Sequence, residues 1–233
     1  MHPKLQPVSR SSKVAAAQRP QASGLFERLR LDILHCRLKP GSRLLFKDLR
    51  NRYGSGLSPL REALMRLVAD GLVLLEVNKG FRVAPVSREE LIDIAGTLYE
   101  LESIAIRLSI ERGDDRWEGN IVARFHELSK RSMTASDGSL DEEWQARNVA
   151  FHESLYAACG SPLLLLFCRT VSERYSRYRR LWDQRADPTR NVAHEHEQIL
   201  RAVIGRDANL ALALLKEHRS QTTDGILSRW TGI

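Results

Sequence analysis

Ser58-Pro59-Leu60-Arg61-Glu62-Ala63-Leu64-Met65-Arg66-Leu67-Val68-Ala69-Asp70-Gly71, running on through Leu72-Val73-Leu74-Leu75-Glu76-Val77-Asn78-Lys79-Gly80-Phe81-Arg82-Val83-Ala84, is the stretch on which the fold turns. Serine before proline offers an N-cap followed by a residue whose missing N–H costs nothing in a first helical turn. Leu60, Leu64, Leu67 and Val68 then recur at helical spacing until Asp70-Gly71 ends the pattern. The β-like runs Leu72–Val77 and Phe81–Ala84 flank the turn Asn78-Lys79-Gly80 and predict a hairpin, with Gly80 supplying a conformation that a side chain resists.

Upstream, Leu25, Leu29, Ile33 and Leu34 form an apolar helical stripe that Lys39-Pro40-Gly41 stops. Leu45, Leu49 and Tyr53 repeat at four-residue spacing and predict a short helix over Phe46 to Tyr53, broken by Gly54-Ser55-Gly56. Helix, helix, tight turn, helix, hairpin is a winged helix-turn-helix. In such a motif the second helix enters the major groove with its first turn against base edges. Arg61 is therefore expected at bases or phosphates, with the Ser58 hydroxyl, Pro59 beside it and Lys47 on the preceding helix at the backbone. Arg66, the hairpin tip Asn78, Lys79 and Gly80, and Arg82 behind it complete the expected DNA surface.

Charge agrees with that placement. Of the 233 residues, residues 1–87 carry 16 lysines and arginines against 6 acids, a net of +10, whereas the remainder, 20 against 23, is at −3. A basic first third joined to a mildly acidic remainder points to a polyanion at the N-terminal end. Residues 1–23, with Lys4, Arg10, Lys13 and Arg19 and no acid, read as a flexible basic arm, and residues 24–86 as the DNA-binding domain.

After Val86 the chain reads as an all-α bundle over residues 87–228, so the whole is mainly α with one small hairpin. Ser87 with Glu90 is a capping box opening a helix to about Arg112. Further helices are expected over 115–134, 139–159, 161–185, 188–205 and 207–228, with Ser161-Pro162, Asp187-Pro188 and Asp207 at three of the starts. The longest apolar run, Leu163 to Cys168, is far short of the ~20 residues that span a bilayer, so no membrane partner is expected. Three cysteines without C-x-x-C spacing argue against a disulfide framework, and no secretory pattern opens the chain, so a cytoplasmic protein is expected.

The segments Leu38-Lys39-Pro40-Gly41-Ser42-Arg43-Leu44, Ser58 to Leu64, Ala69 to Val73 and Asn78-Lys79-Gly80 resemble the GntR family of bacterial transcription regulators. One departure is Gly56-Leu57, where many members carry Ser-Arg before the Ser/Thr-Pro pair. The C-terminal part resembles the FadR-type ligand-binding (FCD) domain of that family. The likeness rests on Asn148-Val149-Ala150-Phe151-His152-Glu153-Ser154-Leu155, on His196 to Val203 and on Asp207 to His218.

That resemblance implies a divalent metal, zinc or nickel first, held by an aspartate and three histidines, which by position become Asn148, His152, His196 and His218. Asn148 and His152 are four residues apart and share one helix face, and the other two fall on the following long helices. Asparagine in place of the acid weakens the expected metal site. His194, two residues from His196, is expected to point away. Leu98 stands where many of these domains place an arginine for the effector's carboxylate, so another cation is needed. Arg177, Arg179 and Arg180, near Tyr175 and Tyr178, are the candidates, with Arg177 and Tyr178 grouped with Asn148, His152, His196 and His218 as the expected effector site.

Finer texture, including Gly113-Asp114-Asp115-Arg116-Trp117-Glu118, is most similar to the carbon-starvation-induced regulator branch. The resemblance implies a homodimeric regulator, a repressor by preference, bound to palindromic double-stranded operator DNA. It also implies a small carboxylate effector, with glutarate or 2-hydroxyglutarate the first to try. Two other readings stand beside it: a metal-dependent enzyme using His152, His196 and His218, and a DNA-binding protein without a ligand.

Overall fold

The structure, a computed structural model, describes residues 19–181 and 190–230. Most of the expected basic arm and the Asp187-Pro188 start lie outside the described residues. The chain folds as two units, Met1–Pro85 and Val86–Ile233.

The first unit is built from α1 (Arg19–Leu34), β1 (Arg43–Leu44), α2 (Phe46–Tyr53), α3 (Leu57–Ala69), β2 (Val73–Glu76) and β3 (Gly80–Val83). Helix α1 begins at Arg19, ahead of the expected Gly24 and within the segment read as an arm. Leu25, Leu29, Ile33 and Leu34 of α1 pack with Leu49, Tyr53, Leu60, Leu64 and Leu67 into one core. Leu44 enters that core, whereas Leu45, expected on the apolar stripe, is exposed. The strand order is β1-β3-β2, all antiparallel. Strand β1 was not foreseen because two residues carry no alternation; it exists through its register on β3, with Arg43 opposite Arg82 and Leu44 opposite Phe81.

The turns follow from backbone chemistry. Gly54 caps α2 in the left-handed region at φ 63°. Asn78 at φ 60° and Gly80 at φ 83° close the hairpin, as the turn residues require. The expected Ser58 cap is corrected: α3 starts two residues earlier, with Gly56 at the N-cap and no side-chain cap. Pro59 still fits, because none of the first four helical N–H groups has an intrahelical partner.

The second unit holds α4 (Arg88–Arg112), α5 (Asp115–Ser129), α6 (Glu142–Leu155), α7 (Pro162–Leu181), α8 (Val192–Ile204) and α9 (Ala208–Ser228). Ser87, Asp114, Asp141, Asn191 and Asp207 each accept a hydrogen bond from a first-turn N–H. Helices α5 and α6 are shorter than expected. Between them, Asp137 accepts from the Ser139 backbone N–H and hydroxyl, Gly138 turns at φ 85° and Thr134 bridges Leu140. Helix α4 packs on α7 and α9, α5 on α6 and α8, and α8 on α9.

The core of this unit holds buried polar groups beside apolar ones. Ile106, Ile121, Phe151, Leu155, Val203 and Leu215 are buried together, and Trp117 Nε1–H donates to the Ser154 carbonyl at 2.9 Å. Glu102 of α4, 1% exposed, meets Arg219 of α9 in a bidentate pair at 2.6 and 3.0 Å. Gly113 lets the chain pass the Trp117 ring: a Cβ there would stand 2.0 Å from Trp117 Cε3.

Gly113→Ala is therefore expected to displace Trp117 and lower stability by about 1–3 kcal/mol in urea denaturation followed by tryptophan fluorescence. Glu102→Gln is expected to cost about 3 kcal/mol in the same measurement by stranding Arg219, and Glu102→Leu combined with Arg219→Met to recover most of that loss.

Candidate functional site

In the first unit the DNA-directed residues divide into two groups. Lys47, Ser58, Pro59, Arg61, Asn78, Lys79 and Gly80 are exposed. Lys47, Arg50 and Asn51 line a cleft of about 590 Å³ with Gly54, Ser55 and Gly56 at the start of α3. Asn51 was not singled out by sequence reasoning. The Arg61 guanidinium lies 5.9 Å from the Phe46 ring centre, above the same cleft-lining residue. Arg66, which is also exposed, and the half-buried Arg82 make contacts within the fold. Arg66 lies about 140° round α3 from Arg61 and stacks on Phe26 of α1 at 4.0 Å. Arg82 Nε donates to Glu76 at 2.9 Å and its Nη1 to the Gly41 carbonyl, so it braces the wing internally.

In the second unit three helices bring His152, His196 and His218 together. Each is buried, their ring centres are 4.7 to 5.3 Å apart, and their ligand atoms all lie within 4.8 Å of one another. Both ring nitrogens of His152 and Nε2 of His196 have no hydrogen-bond partner, and neither has Oδ1 of buried Asn148, one turn before His152. His194 is 59% exposed and lies 3.9 Å from Glu197, outside the group.

Burial, followed by the fields of Arg219, the other two histidines and Arg179, holds His152 well below its ordinary pKa. Burial likewise depresses His196, reinforced by His218, Arg179, Arg219 and Arg190. Burial lowers His218 to about 4 even though Glu195 opposes it. All three are neutral imidazoles at pH 7. His218 Nδ1 donates to Glu195 at 2.7 Å, which leaves its Nε2 as an acceptor. Burial disfavours the Glu195 carboxylate, but hydrogen bonds from Arg190 and His218 outweigh it and hold the group at about 2.

This donor set fits a divalent ion. Unpartnered neutral imidazole nitrogens converge, the unpartnered amide oxygen of Asn148 lies one turn from His152 on the same helix, and a carboxylate holds one imidazole by its other nitrogen. A zinc site with bonds of about 2.0–2.1 Å spaces its ligand atoms about 3.4 Å apart, so the histidines need only draw together slightly.

The expected effector cations fall in different places. Arg180 Nε and Nη2 are held by Glu142 near the surface. Tyr178 is buried, but its hydroxyl donates to Glu90, accepts from the Ser87 N–H and is engaged at the start of α4. Arg177 is buried in α7 about 200° from Arg179, and Arg179 is the one that acts on His152 and His196. Leu98 packs in an apolar cluster with Leu91, Ile94, Tyr175, Tyr178 and Ile226. One turn later α4 contributes an acid, Glu102, to the interior. Glu102, Arg219, Glu195 and Arg190 were not foreseen; the signal available was that Arg219 and Glu195 adjoin His218 and His196 in sequence.

The family model "Bacterial regulatory proteins, gntR family" matches residues 21–83, and "FCD domain" matches residues 93–221. Among curated relatives, the HTH-type transcriptional regulator BphR of Paraburkholderia xenovorans is 39% identical over 83% of this chain and 80% of its own length. The HTH-type transcriptional repressor GlaR of Escherichia coli is 35% identical over 82% and 88%. Among solved structures, E. coli McbR/YncC shares the fold at a TM-score of 0.74 and 22% identity, covering 91% of this chain and 99% of the other. These relatives are regulators rather than enzymes. The chain belongs to the GntR family of DNA-binding transcription regulators, in the group that carries an FCD domain.

Proposed function

We propose that the protein is a cytoplasmic repressor that binds a palindromic operator as a homodimer and is controlled by a small carboxylate in the interior of its helical unit. The observation that carries the reading is the convergence of three histidines, with the unpartnered Oδ1 of Asn148 one turn from His152, in a chain whose other unit exposes Arg61, Ser58 and Lys47. The name of GlaR as a repressor supports the direction of control. Glutarate and 2-hydroxyglutarate are the first effectors to test.

On the DNA side, Arg61 and Ser58 open the recognition helix, Lys47 holds a phosphate, and Asn78, Lys79 and Gly80 form the wing. Arg66 and Arg82 are left to structural work. Two-fold symmetry of the dimer matches a two-fold operator, and phosphate neutralisation makes affinity salt-dependent. On the effector side, His152, His196, His218 and Asn148 would hold a divalent ion, zinc or nickel, which when bound supplies a positive Lewis-acid centre for a carboxylate. The effector must favour one dimer arrangement over another, because equal affinity for both shifts nothing.

The test is fluorescence anisotropy on the DNA upstream of this protein's own gene, with C4–C6 dicarboxylates and hydroxyacids titrated in, before and after chelation. Release by one acid supports the reading. Tight binding that no acid alters would leave a DNA-binding protein without a ligand, and absence of binding at low salt would defeat the DNA assignment. Arg61→Ala is expected to weaken operator binding about tenfold or more while leaving acid binding unchanged in calorimetry.

The histidines also set a pH dependence. Their folded pKa values lie below the ordinary 6.5, so the unfolded chain binds protons that the folded one refuses. Stability is then full above pH 6.5 and falls as pH drops through that value, with the His218 share lost down to about 4. Unfolding free energies from urea titration are expected to stay level from pH 7.5 to about 6.5 and to fall from there to pH 5, and His196→Leu to flatten that fall by about 1.4 kcal/mol per pH unit. A pH-independent free energy over that range would contradict the neutral-histidine assignment.

A further inference from the structure

The ionised groups in the interior of the helical unit can be paired off. Glu102 answers Arg219, and Glu195 answers Arg190 through two hydrogen bonds of 2.7 Å. The three histidines are neutral. Of the two other buried arginines, both on α7, Arg177 lies about 200° round the helix, and Arg179 is the one whose field reaches His152 and His196. Its residue is 6% exposed, its Nε is buried without a hydrogen-bond partner, and among the described residues no carboxylate meets its guanidinium. Its described contact is the face of Trp144, 5.3 Å from the ring centre.

A buried charge without a counter-ion is costly, and a guanidinium offers a fork that matches a carboxylate. Trp144 also lies 6.5 Å from the His196 ring, so the guanidinium and the histidine cluster rest against one indole. Trp144, Asn148 and His152 recur at four-residue spacing on one face of α6, while Ser172, Ser176 and Arg179 are buried on α7. Gln145 Nε2 donates to Ser176 at 3.2 Å and leaves its Oε1 unpartnered. The interior therefore has two polar ends, a bare cation and a set of imidazoles, joined by an aromatic wall.

We propose that Arg179 is the anchor of the effector, binding one carboxylate of a short dicarboxylate whose other end reaches the histidines. The proposal rests on the carboxylate-effector reading above and names the residue that makes the ion pair. The ligand supplies the missing counter-ion, so the free protein carries an uncompensated interior charge that binding removes. Burial already pulls the Arg179 pKa down to about 10, in keeping with a cation that lacks a partner.

The experiment is calorimetry of glutarate binding to the full-length protein, wild type against Arg179→Met, Arg179→Lys and Arg180→Met, with melting of each ligand-free protein. Arg179→Met is expected to lower glutarate affinity about a hundredfold, and Arg179→Lys to lose less, since it keeps the charge and loses the fork. Arg180→Met is expected to stay within about twofold, its partner being surface Glu142. Ligand-free Arg179→Met is expected to melt at or above wild type, because the substitution removes an unpaired buried charge. Equal glutarate binding by wild type and Arg179→Met would overturn the anchor alone. A ligand-free Arg179→Met that melts well below wild type would also overturn it, by giving the guanidinium a structural role. A wild type that binds neither glutarate nor 2-hydroxyglutarate would overturn the effector class and the anchor together.

Discussion

The ion pair between Glu102 and Arg219 is the interaction around which the helical unit is organised. It joins α4 to α9 across the interior, and neither partner has appreciable access to water. Desolvation pushes the Glu102 carboxyl up while Arg219 pulls it down. A single unpaired charge at this depth would cost several kcal/mol, so each helix depends on the other for its charged residue to be tolerated. The positive field of Arg219 adds to burial in keeping the adjoining His218 a neutral imidazole, and the Arg190–Glu195 pair closes the arrangement beside it.

The DNA-directed unit is organised by the opposite rule. Its core is apolar throughout, and its charges lie on the outside or serve as braces. Arg82 looks in sequence like a wing residue reaching for DNA, yet its donors are taken by Glu76 and the Gly41 carbonyl. Asp32 gathers Tyr53, Arg52 and Arg37, and so ties α1 to the end of α2. Arginines in a basic unit are therefore divided between holding the fold and facing the solvent, and composition does not say which does which. Arg61 and Lys47 are among the positions that stay exposed.

Much of the architecture was legible because it is written in local patterns. The span of α2, the caps at Ser87 and Asp207, the left-handed turn at Gly80 and the apolar stripes of α1 and α3 all follow from periodicity and backbone preference. Strand β1 and the early start of α3 were missed for physical reasons. Two residues make a strand only when another strand pairs with them, and a glycine can begin a helix where a serine looks the better cap. Helix ends in the second unit were overextended where Asp137 and Gly138 build a turn of their own.

The histidines of the candidate site could be found from sequence, since helical spacing and resemblance together single out Asn148, His152, His196 and His218. Their neighbours could not. Whether Arg177, Arg179 or Arg180 meets the interior depends on the rotation of α7 against α6, and Glu102 acquires meaning only when α9 brings Arg219 to it. Sequence by itself determined the helical class, the helix-turn-helix of the first unit and the set of imidazoles, because these are local or motif-borne. Tertiary structure alone decided which charges cancel and that, among the described residues, no carboxylate meets Arg179. Pairing of buried charges is a property of helices packed in space, and residues 117 positions apart in the chain carry no record of it in their spacing.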